Sequence, residues 1–336
     1  MRFVPYHRIG GEPNVIVDGS ATAGTVLTLS HWPGTETPEV FWADLSAEMA
    51  FRYVDRPELG VDAEIVSNNH FDQDGLVGVF ALADPAAATA RRELLIDVAS
   101  AGDFGTYRDR HAARVAMAIA SLADDELTPL GPLSVDYPTR CSELYERSLP
   151  MLAELCDHPE RFESLWAEED AALSASEALI ATGEVGIEEV PAVDLAVVTM
   201  SPDTATGRDL IASDHDVVGP GAGYPAGLHP MAVFGATAML GICTIRGSAF
   251  RFEYRYESWV QYRSRPVRPR VDLDPLAVGW NQREESGGSW TFDGPGALTP
   301  ALTLDGAEAS SIDPDLLRGE LVEFLASAPP AWDPYV

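Results

Sequence analysis

The spacing of hydrophobic residues predicts strands that alternate with helices along the first hundred residues. Short runs rich in β-branched residues, bounded by Gly or Asp, predict three strands at 14–17, 25–29 and 62–67. Between the second and third runs, apolar residues recur at every fourth position and predict the buried face of a helix over about 37–54: Phe41, Leu45, Met49 and Tyr53. Another helix is expected to begin at Gly75, directly after the third strand.

The pattern stays helical to about residue 182 and then changes. Helices are predicted over 86–101, 107–123 and 139–182, the last one broken near 157–159. Beyond Pro191 the sequence favours a strand at 195–200, a long antiparallel hairpin over 242–262 and a closing helix over 313–325. We therefore predict an α/β domain over 1–190, with a mainly parallel sheet and flanking helices, followed by a smaller α+β domain over 191–336 that contains an antiparallel hairpin.

The net charge of the chain and its lack of Lys exclude several classes of function. The chain has 336 residues, of which 22 are basic and 53 acidic, and its formal net charge is −31. Such a surface repels polyanions, so we expect no binding to duplex nucleic acid. Every basic residue is Arg, and without Lys the chain cannot form a pyridoxal Schiff base or a Walker-type phosphate loop.

The cysteine content and the hydropathy of the chain predict its location in the cell. The three cysteines form no CxxC pair, and the amino-terminal residues contain no apolar run typical of a signal peptide. The longest apolar stretch, 230–245, is too short to span a membrane. We expect a cytoplasmic protein that contacts no membrane, and leave open whether two copies form a homodimer.

Residues 68–75, Asn-Asn-His-Phe-Asp-Gln-Asp-Gly, are the segment best suited to chemistry. His70, Asp72 and Asp74 are spaced by two, so in an extended backbone their side chains project to one side. An imidazole with two carboxylates suits Mn²⁺, Fe²⁺, Zn²⁺ or a hydrated Mg²⁺. The end of a strand before a helix is also where open α/β sheets bind ligands. The alternative is a polar turn in which the aspartates cap the helix.

A resemblance supports the metal site. Residues 68–82 resemble the first motif of the DHH-type phosphoesterases, in which a His-x-Asp-x-Asp-like string ends a strand and opens a helix. The resemblance implies an α/β metal-binding lobe, a smaller lobe that contacts substrate, and two Mn²⁺ ions that serve hydrolysis of phosphodiesters or pyrophosphate. The chain has no Asp-His-His string; its nearest counterpart is Asp214-His215-Asp216, which we predict to be a turn. Taken whole, the chain also resembles an uncharacterised family of actinobacterial proteins.

Further residues are candidates to complete a site for one or two divalent metal ions. Asp18 follows the first predicted strand and His31 the second, so both are expected at the sheet edge that bears His70. Asp97 and Asp103 lie where a predicted helix gives way to a loop, and Asp103 is the freer of the two. We expect metal ligands from Asp18, His70, Asp72, Asp74 and Asp103, and catalytic roles for Asp72, Asp74 and His31.

A concentration of arginines marks the carboxy-terminal half. Seven of the 22 arginines fall within 246–270. Arginine forms bidentate contacts to phosphate or carboxylate, so we expect four of the seven to bind a small anionic substrate: Arg251, Arg255, Arg263 and Arg265. On a strand, Arg251 and Arg255 would face the same side. The alternative is internal pairing with Glu253, Glu257 and Asp272, or pairing with the acidic first domain as a structural interface.

Three functions are compatible with these residues. The favoured one is a metal-dependent phosphoesterase that acts on a small nucleotide or a phosphorylated metabolite. The second is a binding protein of the same fold that has no catalysis. The third is a metal-dependent hydrolase of amides or esters, since the same ligands serve that chemistry equally well.

Overall fold

The computed structural model describes residues 1–206 and 225–336, and these residues divide into two units. The first unit comprises Met1–Asp170 together with Gln261–Pro266. The second comprises the other described residues, from Ala171 onward. The structure confirms an α/β chain with one parallel sheet and one mixed sheet, each in its own unit.

The first unit is built on a four-stranded sheet in which every pair of neighbours is parallel. Its strands are β1 (Arg2–Phe3), β2 (Asn14–Val17), β3 (Thr25–Leu29) and β4 (Ile65–Ser67). The spatial order is β1-β4-β2-β3, so β2 lies between β4 and β3. All four residues of β2 are buried, as expected for a central parallel strand covered on both faces.

Helices surround this sheet. In chain order they are α1 (Ser46–Val54), α2 (Gln73–Ala83), α3 (Pro85–Thr89), α4 (Arg92–Phe104), α5 (Arg110–Leu122), α6 (Tyr137–Ser148), α7 (Leu152–Asp157) and α8 (Ala167–Thr182). Helix α2 is the most enclosed, with ten of its residues buried from Gln73 to Leu82. It packs against α1 and α4. Helix α8 begins in the first unit and continues in the second.

The helix predicted from residue 37 begins later than expected. Residues Glu39–Phe41 form a single 3₁₀ turn, and α1 starts only at Ser46. Trp42 and Leu45 have extended backbone conformations in between. The four-residue spacing nevertheless identified buried positions correctly, because all four of its members are less than 9% exposed: Phe41, Leu45, Met49 and Tyr53.

The second unit is built on a six-stranded mixed sheet in the order β10-β11-β8-β7-β6-β5. Its strands are β5 (Val185–Val190), β6 (Leu195–Met200), β7 (Gly241–Arg246), β8 (Ala249–Tyr254), β10 (Ser289–Phe292) and β11 (Ala301–Asp305). A separate pair joins β9 (Arg270–Val271) to β12 (Pro330–Trp332). The helices are α9 (Pro230–Ala236), α10 (Asp274–Asn281) and α11 (Pro314–Ser327). The domain boundary predicted at 190/191 falls between β5 and β6, which are antiparallel neighbours.

The hairpin predicted over 242–262 is shorter than expected. Strands β7 and β8 pair antiparallel, with Arg246 opposite Ala249 at the turn, but β8 ends at Tyr254. The chain then forms a 3₁₀ turn at Tyr256–Ser258, and Gln261–Pro266 joins the first unit. Within the described part of the chain, no helix is long and apolar enough to cross a membrane.

Candidate metal centre

The carboxyl ends of three adjacent parallel strands bring the candidate residues together in the first unit. Asp18 directly follows β2, His31 follows β3 by two residues, and His70 follows β4 by three. Because β2 lies between β4 and β3, Asp18 occupies the middle of this edge. Asp18 also has a left-handed backbone conformation, with φ of 50°, which is uncommon for a residue other than Gly and frequent at functional sites.

The side chains form two groups of three that share Asp18. We call Asp18, His70 and Asp72 the outer triad, and Asp18, His31 and Asp74 the inner triad. Within each triad one ligand atom from every residue lies within 4.8 Å of the others. The inner triad is fully buried, whereas the side chains of His70 and Asp72 are 20% and 22% exposed. The shared carboxylate therefore joins a buried position to one that solvent reaches.

The orientation of the His31 ring is fixed by a hydrogen bond at the ring nitrogen that faces away from the site. Its Nδ1 lies 2.6 Å from the carbonyl oxygen of Asp44, which can only accept a hydrogen bond. Nδ1 therefore carries a proton, and Nε2 faces Oδ1 of Asp18 at 3.4 Å and Oδ2 of Asp103 at 3.5 Å. A nitrogen that faces two carboxylate oxygens needs either its own proton or a cation between them. A backbone carbonyl that holds the far nitrogen is also the usual support of a metal-binding histidine.

Asp74 links the inner triad to α1. Its Oδ2 accepts a hydrogen bond from the amide of Ser46, and its Oδ1 accepts one from the amide of Ala47, both at 2.8 Å. The hydroxyl of Ser46 donates to Oδ1 of Asp18 at 2.9 Å. Leu45, at the N-cap of α1, offers no capping side chain, so Asp74 satisfies amides that this helix end would otherwise leave unpaired.

Asp72 and His70 form the accessible side of the site. Asp72 is the N-cap of α2, and its Oδ1 accepts a hydrogen bond from the amide of Gly75. Its other oxygen lies 2.7 Å from Nε2 of His70. Oδ2 of Asp18 lies 3.2 Å from the same nitrogen, yet it is buried and has no well-formed hydrogen bond with any described residue. The ring of Trp32 lies beside His70, with centroids 5.1 Å apart.

Charges of one sign are crowded at this edge. Burial, and next to it the charge of Asp18, raises the pKa of Asp74 well above the usual range of a carboxyl. Burial acts in the same direction on Asp18, but the neighbouring imidazole of His70, followed by His31 and Ser46, lowers its pKa below the ordinary value. Burial lowers the pKa of His70, but Asp72 and Asp18 outweigh it and hold that pKa well above the ordinary value. The site as a whole favours a positive charge among its carboxylates.

The two aspartates predicted at the end of a helix have different surroundings. Both lie within α4, which runs to Phe104, so the expectation of a loop at this point is wrong. Asp103 is buried and meets His31 at the inner triad. Asp97 instead accepts hydrogen bonds from the amides of Arg108 and Asp109, and so fixes the turn before α5.

The four candidate arginines fall into two groups. Arg251 and Arg255 belong to the second unit, where they pair with Glu253 at 2.9 Å and with Glu257 at 2.5 Å. Arg255 lies beyond the end of β8 and is buried, with its guanidinium also donating to backbone carbonyls, so the expectation that both arginines share one strand face is wrong. The structure favours internal pairing for these two.

Arg263 and Arg265 lie in the first unit, as do both triads. Oδ1 of Asp44 accepts hydrogen bonds from the amides of Arg263 and Ser264, and the guanidinium of Arg263 stacks on Trp42 at 3.8 Å from the ring centroid. Arg265 lies over the ring of Tyr262 at 6.0 Å. The Asp214-His215-Asp216 string lies outside the described residues.

Sequence reasoning missed several polar groups beside the site. Ser46 contacts Asp18, and the side chain of Asn68 accepts a hydrogen bond from the amide of His70 at 2.9 Å. Tyr145, from α6, is buried within the same unit, and burial raises the pKa of its hydroxyl well above the ordinary value. Asn68 could have been found, because it is the first residue of the motif at 68–75. Ser46 and Tyr145 are distant from that motif in sequence, and no pattern of spacing connects them to it.

Comparison with known families confirms the resemblance to an uncharacterised family. The chain belongs to the DUF6687 family, described as a family of unknown function, whose model matches residues 1–336. No curated protein and no solved structure matches the chain. The function is therefore inferred from the site.

Proposed function

We propose that this member of a family of unknown function is a metal-dependent phosphoesterase that acts on a small phosphorylated or nucleotide substrate. The observation that carries the proposal is the pair of triads that share the Asp18 carboxylate. Hydrolases with two metal ions require a pair of neighbouring ligand sets of this kind, and a bridging carboxylate supplies ligands to both. The two triads differ in exposure, so one position would be structural in character and the other open to substrate.

The residues fit a divalent cation such as Mn²⁺. Imidazole nitrogens and carboxylate oxygens are its usual ligands, and Oδ2 of Asp18 is a buried acceptor without a well-formed hydrogen bond to any described residue. His31, Asp74 and Asp103 would hold the inner ion, and His70 with Asp72 the outer one, with Asp18 shared. When bound, the metal supplies Lewis-acid activation of the substrate and of water. One or two cations would also offset the burial of the Asp74 carboxyl and, next to it, the repulsion by Asp18, which together raise the pKa of Asp74.

An anionic substrate suits the surroundings better than a neutral one. Asp72 of the outer triad is the N-cap of α2, and the amide end of this helix carries partial positive charge. Arg263 and Arg265 belong to the same unit as both triads, and a guanidinium can bind a phosphate through two parallel hydrogen bonds. The resemblance of residues 68–82 to the first DHH motif supports the same reaction, and with it we assign the first unit a DHH-like metal-binding lobe.

Hydrogen bonds within the chain would hold the ligand side chains of the site in fixed orientations. The carbonyl of Asp44 keeps Nε2 of His31 directed at Asp18 and Asp103. Asp72 orients His70 with one oxygen while the other caps α2. These contacts fix rings and carboxylates before substrate arrives, which lowers the cost of reorganisation during the reaction.

Elemental mass spectrometry of the purified protein, together with a phosphoester screen, tests the proposal. We expect one or two equivalents of Mn, Fe or Zn, or uptake of added Mn²⁺, and hydrolysis of phosphoesters but not of matched amides. Both metal and turnover should be lost in the Asp72→Asn/Asp74→Asn double variant. Asp62→Asn, which changes an exposed carboxylate of the same unit, is the matched control and should retain both.

The other candidate functions appear as distinct outcomes. Turnover of amides or carboxylic esters with the same metal dependence would reassign the reaction and overturn the phosphoesterase. Protein that takes up no metal even with Mn²⁺ added, or phosphoester turnover unchanged in the double variant, would overturn the proposed site itself.

A further inference from the structure

We propose that a cavity beside the outer triad binds a planar aromatic ring of the substrate, so that the substrate class is a nucleotide whose base enters this cavity. The position of the phosphate in this inference rests on the proposed function, whereas binding of the ring in the cavity does not depend on it. The cavity has a volume of about 420 Å³ and lies wholly within the first unit, between the amino-terminal residues, the segment after β4 and α6. That volume is in the range of small-molecule sites.

Aromatic side chains form much of the cavity wall. Phe3, Tyr6, Tyr137 and Tyr145 all line it. Phe3 stacks on Tyr145 with ring centroids 4.9 Å apart, which holds both rings in place. Tyr137 is 58% exposed and therefore stands at the edge, where a ligand entering from solvent would meet it. Aromatic walls bind flat heterocycles by stacking, and do so without requiring one particular base.

The wall carries neither a carboxylate nor a guanidinium. None of the described residues that line the cavity is Asp, Glu or Arg, in a chain of net charge −31. A free anion would gain little from such a wall, whereas a neutral ring would bury apolar surface. The charged part of the ligand is therefore expected at the metal centre, and the neutral part in the cavity.

Three residues of the wall bury polar atoms without a hydrogen-bond partner among the described residues. They are Nδ2 of Asn68, Oδ1 of Asn69 and the hydroxyl of Tyr145. Unpaired buried polar atoms are costly and uncommon, and they concentrate where a ligand completes the hydrogen bonds. The amide donor of Asn68 and the hydroxyl of Tyr145 suit the mixed donors and acceptors along the edge of a nucleobase.

Two polar groups of the cavity wall lie beside the outer triad, at the first turn of α2. A Cβ atom placed on Gly75 would lie 2.1 Å from Nδ2 of Asn68, 2.7 Å from the hydroxyl of Tyr145 and 3.0 Å from Oδ1 of Asp72. The two unpaired groups therefore converge on the first turn of α2, beside the carboxylate that contacts His70. Asn68 also accepts a hydrogen bond from the amide of His70. Asn68 therefore links the wall of the cavity to the outer triad, and a ligand in the cavity would lie next to the proposed metal position.

Binding of adenosine and of adenosine monophosphate, compared with glycerol phosphate, tests the inference on the full chain. The test variant is Tyr137→Ala, and its control is Tyr335→Ala, which removes a tyrosine that is 40% exposed in the second unit. Because loss of one stacking ring weakens binding substantially, we expect a roughly tenfold higher Kd for adenosine monophosphate in Tyr137→Ala. Tyr137→Ala should weaken binding of adenosine monophosphate more than binding of glycerol phosphate, and every value for the control Tyr335→Ala should stay at the wild-type level. Circular dichroism checks that both variants fold.

The outcomes separate this inference from the proposed function. Adenosine binding without metal that is weakened in Tyr137→Ala supports the cavity even if no phosphoester is hydrolysed, and the proposed function alone would then fail. Hydrolysis with no preference for adenosine monophosphate over glycerol phosphate, or equal losses for both in Tyr137→Ala, would overturn the cavity assignment and leave the phosphoesterase standing. No binding of adenosine at millimolar concentration would also overturn it.

Discussion

At the scale of single residues, the two oxygens of Asp72 serve different neighbours. Oδ1 accepts a hydrogen bond from the amide of Gly75 and caps α2, and Oδ2 contacts His70 at 2.7 Å. The capping alternative considered from the sequence and the proposed metal site are therefore compatible. A polar turn and a ligand can be the same residue, because a cap occupies only one of the two carboxylate oxygens.

Substitution of Asp72 can separate the two tasks. Asn is as good an N-cap as Asp, whereas Ala typically costs about 1 kcal/mol of stability at this position. We expect urea unfolding to show Asp72→Ala about 1 kcal/mol less stable than Asp72→Asn, while both variants lose metal and turnover. Equal stability of the two variants would contradict the capping role, and full turnover in Asp72→Asn would contradict the metal role.

Residues at strand ends could be predicted from the sequence, and residues held by helix packing could not. Asp18, His31 and His70 meet because each follows a strand of one parallel sheet, and the strands could be recognised by composition. Ser46 reaches Asp18 only because Asp74 pairs with the start of α1, which is a contact between distant segments. The sequence did not show the role of Arg251 either. Its acidic partner lies two residues away, and that spacing is compatible both with binding of an anionic substrate and with internal pairing.

At the scale of elements, close packing of α2 positions the site. Gly78 allows this helix to approach both β2 and α1, because a Cβ atom there would lie 2.4 Å from Cγ1 of Val17 and 3.4 Å from Cα of Ala47. Val17 directly precedes Asp18, and Ala47 donates to Asp74. The close approach of α2 to β2 and α1 therefore brings Asp72 and Asp74, at the start of α2, close to Asp18.

A pair of glycine substitutions tests this packing. Gly319 lies in α11, and a Cβ atom added to it would have nothing within 4 Å, so Gly319→Ala should gain roughly 0.5–1 kcal/mol from helix propensity alone. Gly78→Ala makes the same chemical change in α2 but adds a clash, and overpacking typically costs about 1–3 kcal/mol. We expect urea unfolding to shift in opposite directions for the two variants. A stabilised Gly78→Ala protein would show that α2 is not closely packed.

Element boundaries were predicted less well than element types, and α1 shows why. The four-residue spacing of apolar positions continues through the 3₁₀ turn and the extended residues before Ser46. Burial of one face does not require a continuous helix, so periodicity alone extended the element too far. The start of α1 is set by Asp74, whose carboxylate accepts hydrogen bonds from the amides of Ser46 and Ala47, and this residue belongs to another helix.

At the scale of the whole molecule, the chain returns to its first unit. The segment 261–266 follows the second unit's hairpin in sequence, yet the amide of Gln261 donates to the carbonyl of His31 at 2.8 Å. The sequence showed a change of pattern near residue 190, but nothing in composition or periodicity marks 261–266 as six residues that belong to the first unit. Asp44 also holds this segment, because its Oδ1 accepts hydrogen bonds from the amides of Arg263 and Ser264.

The division into units predicts which part of the chain is stabilised by metal binding. Every proposed ligand lies in the first unit, so Mn²⁺ should stabilise that unit by about 2.7 kcal/mol at a concentration about 100 times its Kd. Hydrogen exchange measured by mass spectrometry should slow on addition of Mn²⁺ at 14–18, 46–50 and 73–77, and change little at 195–200 and 241–246. The Asp72→Asn/Asp74→Asn variant should show no response to Mn²⁺ at any of these peptides. Protection confined to the second unit, or a full response in the variant, would contradict the assignment of both triads, because the ligands would then have to lie elsewhere in the chain.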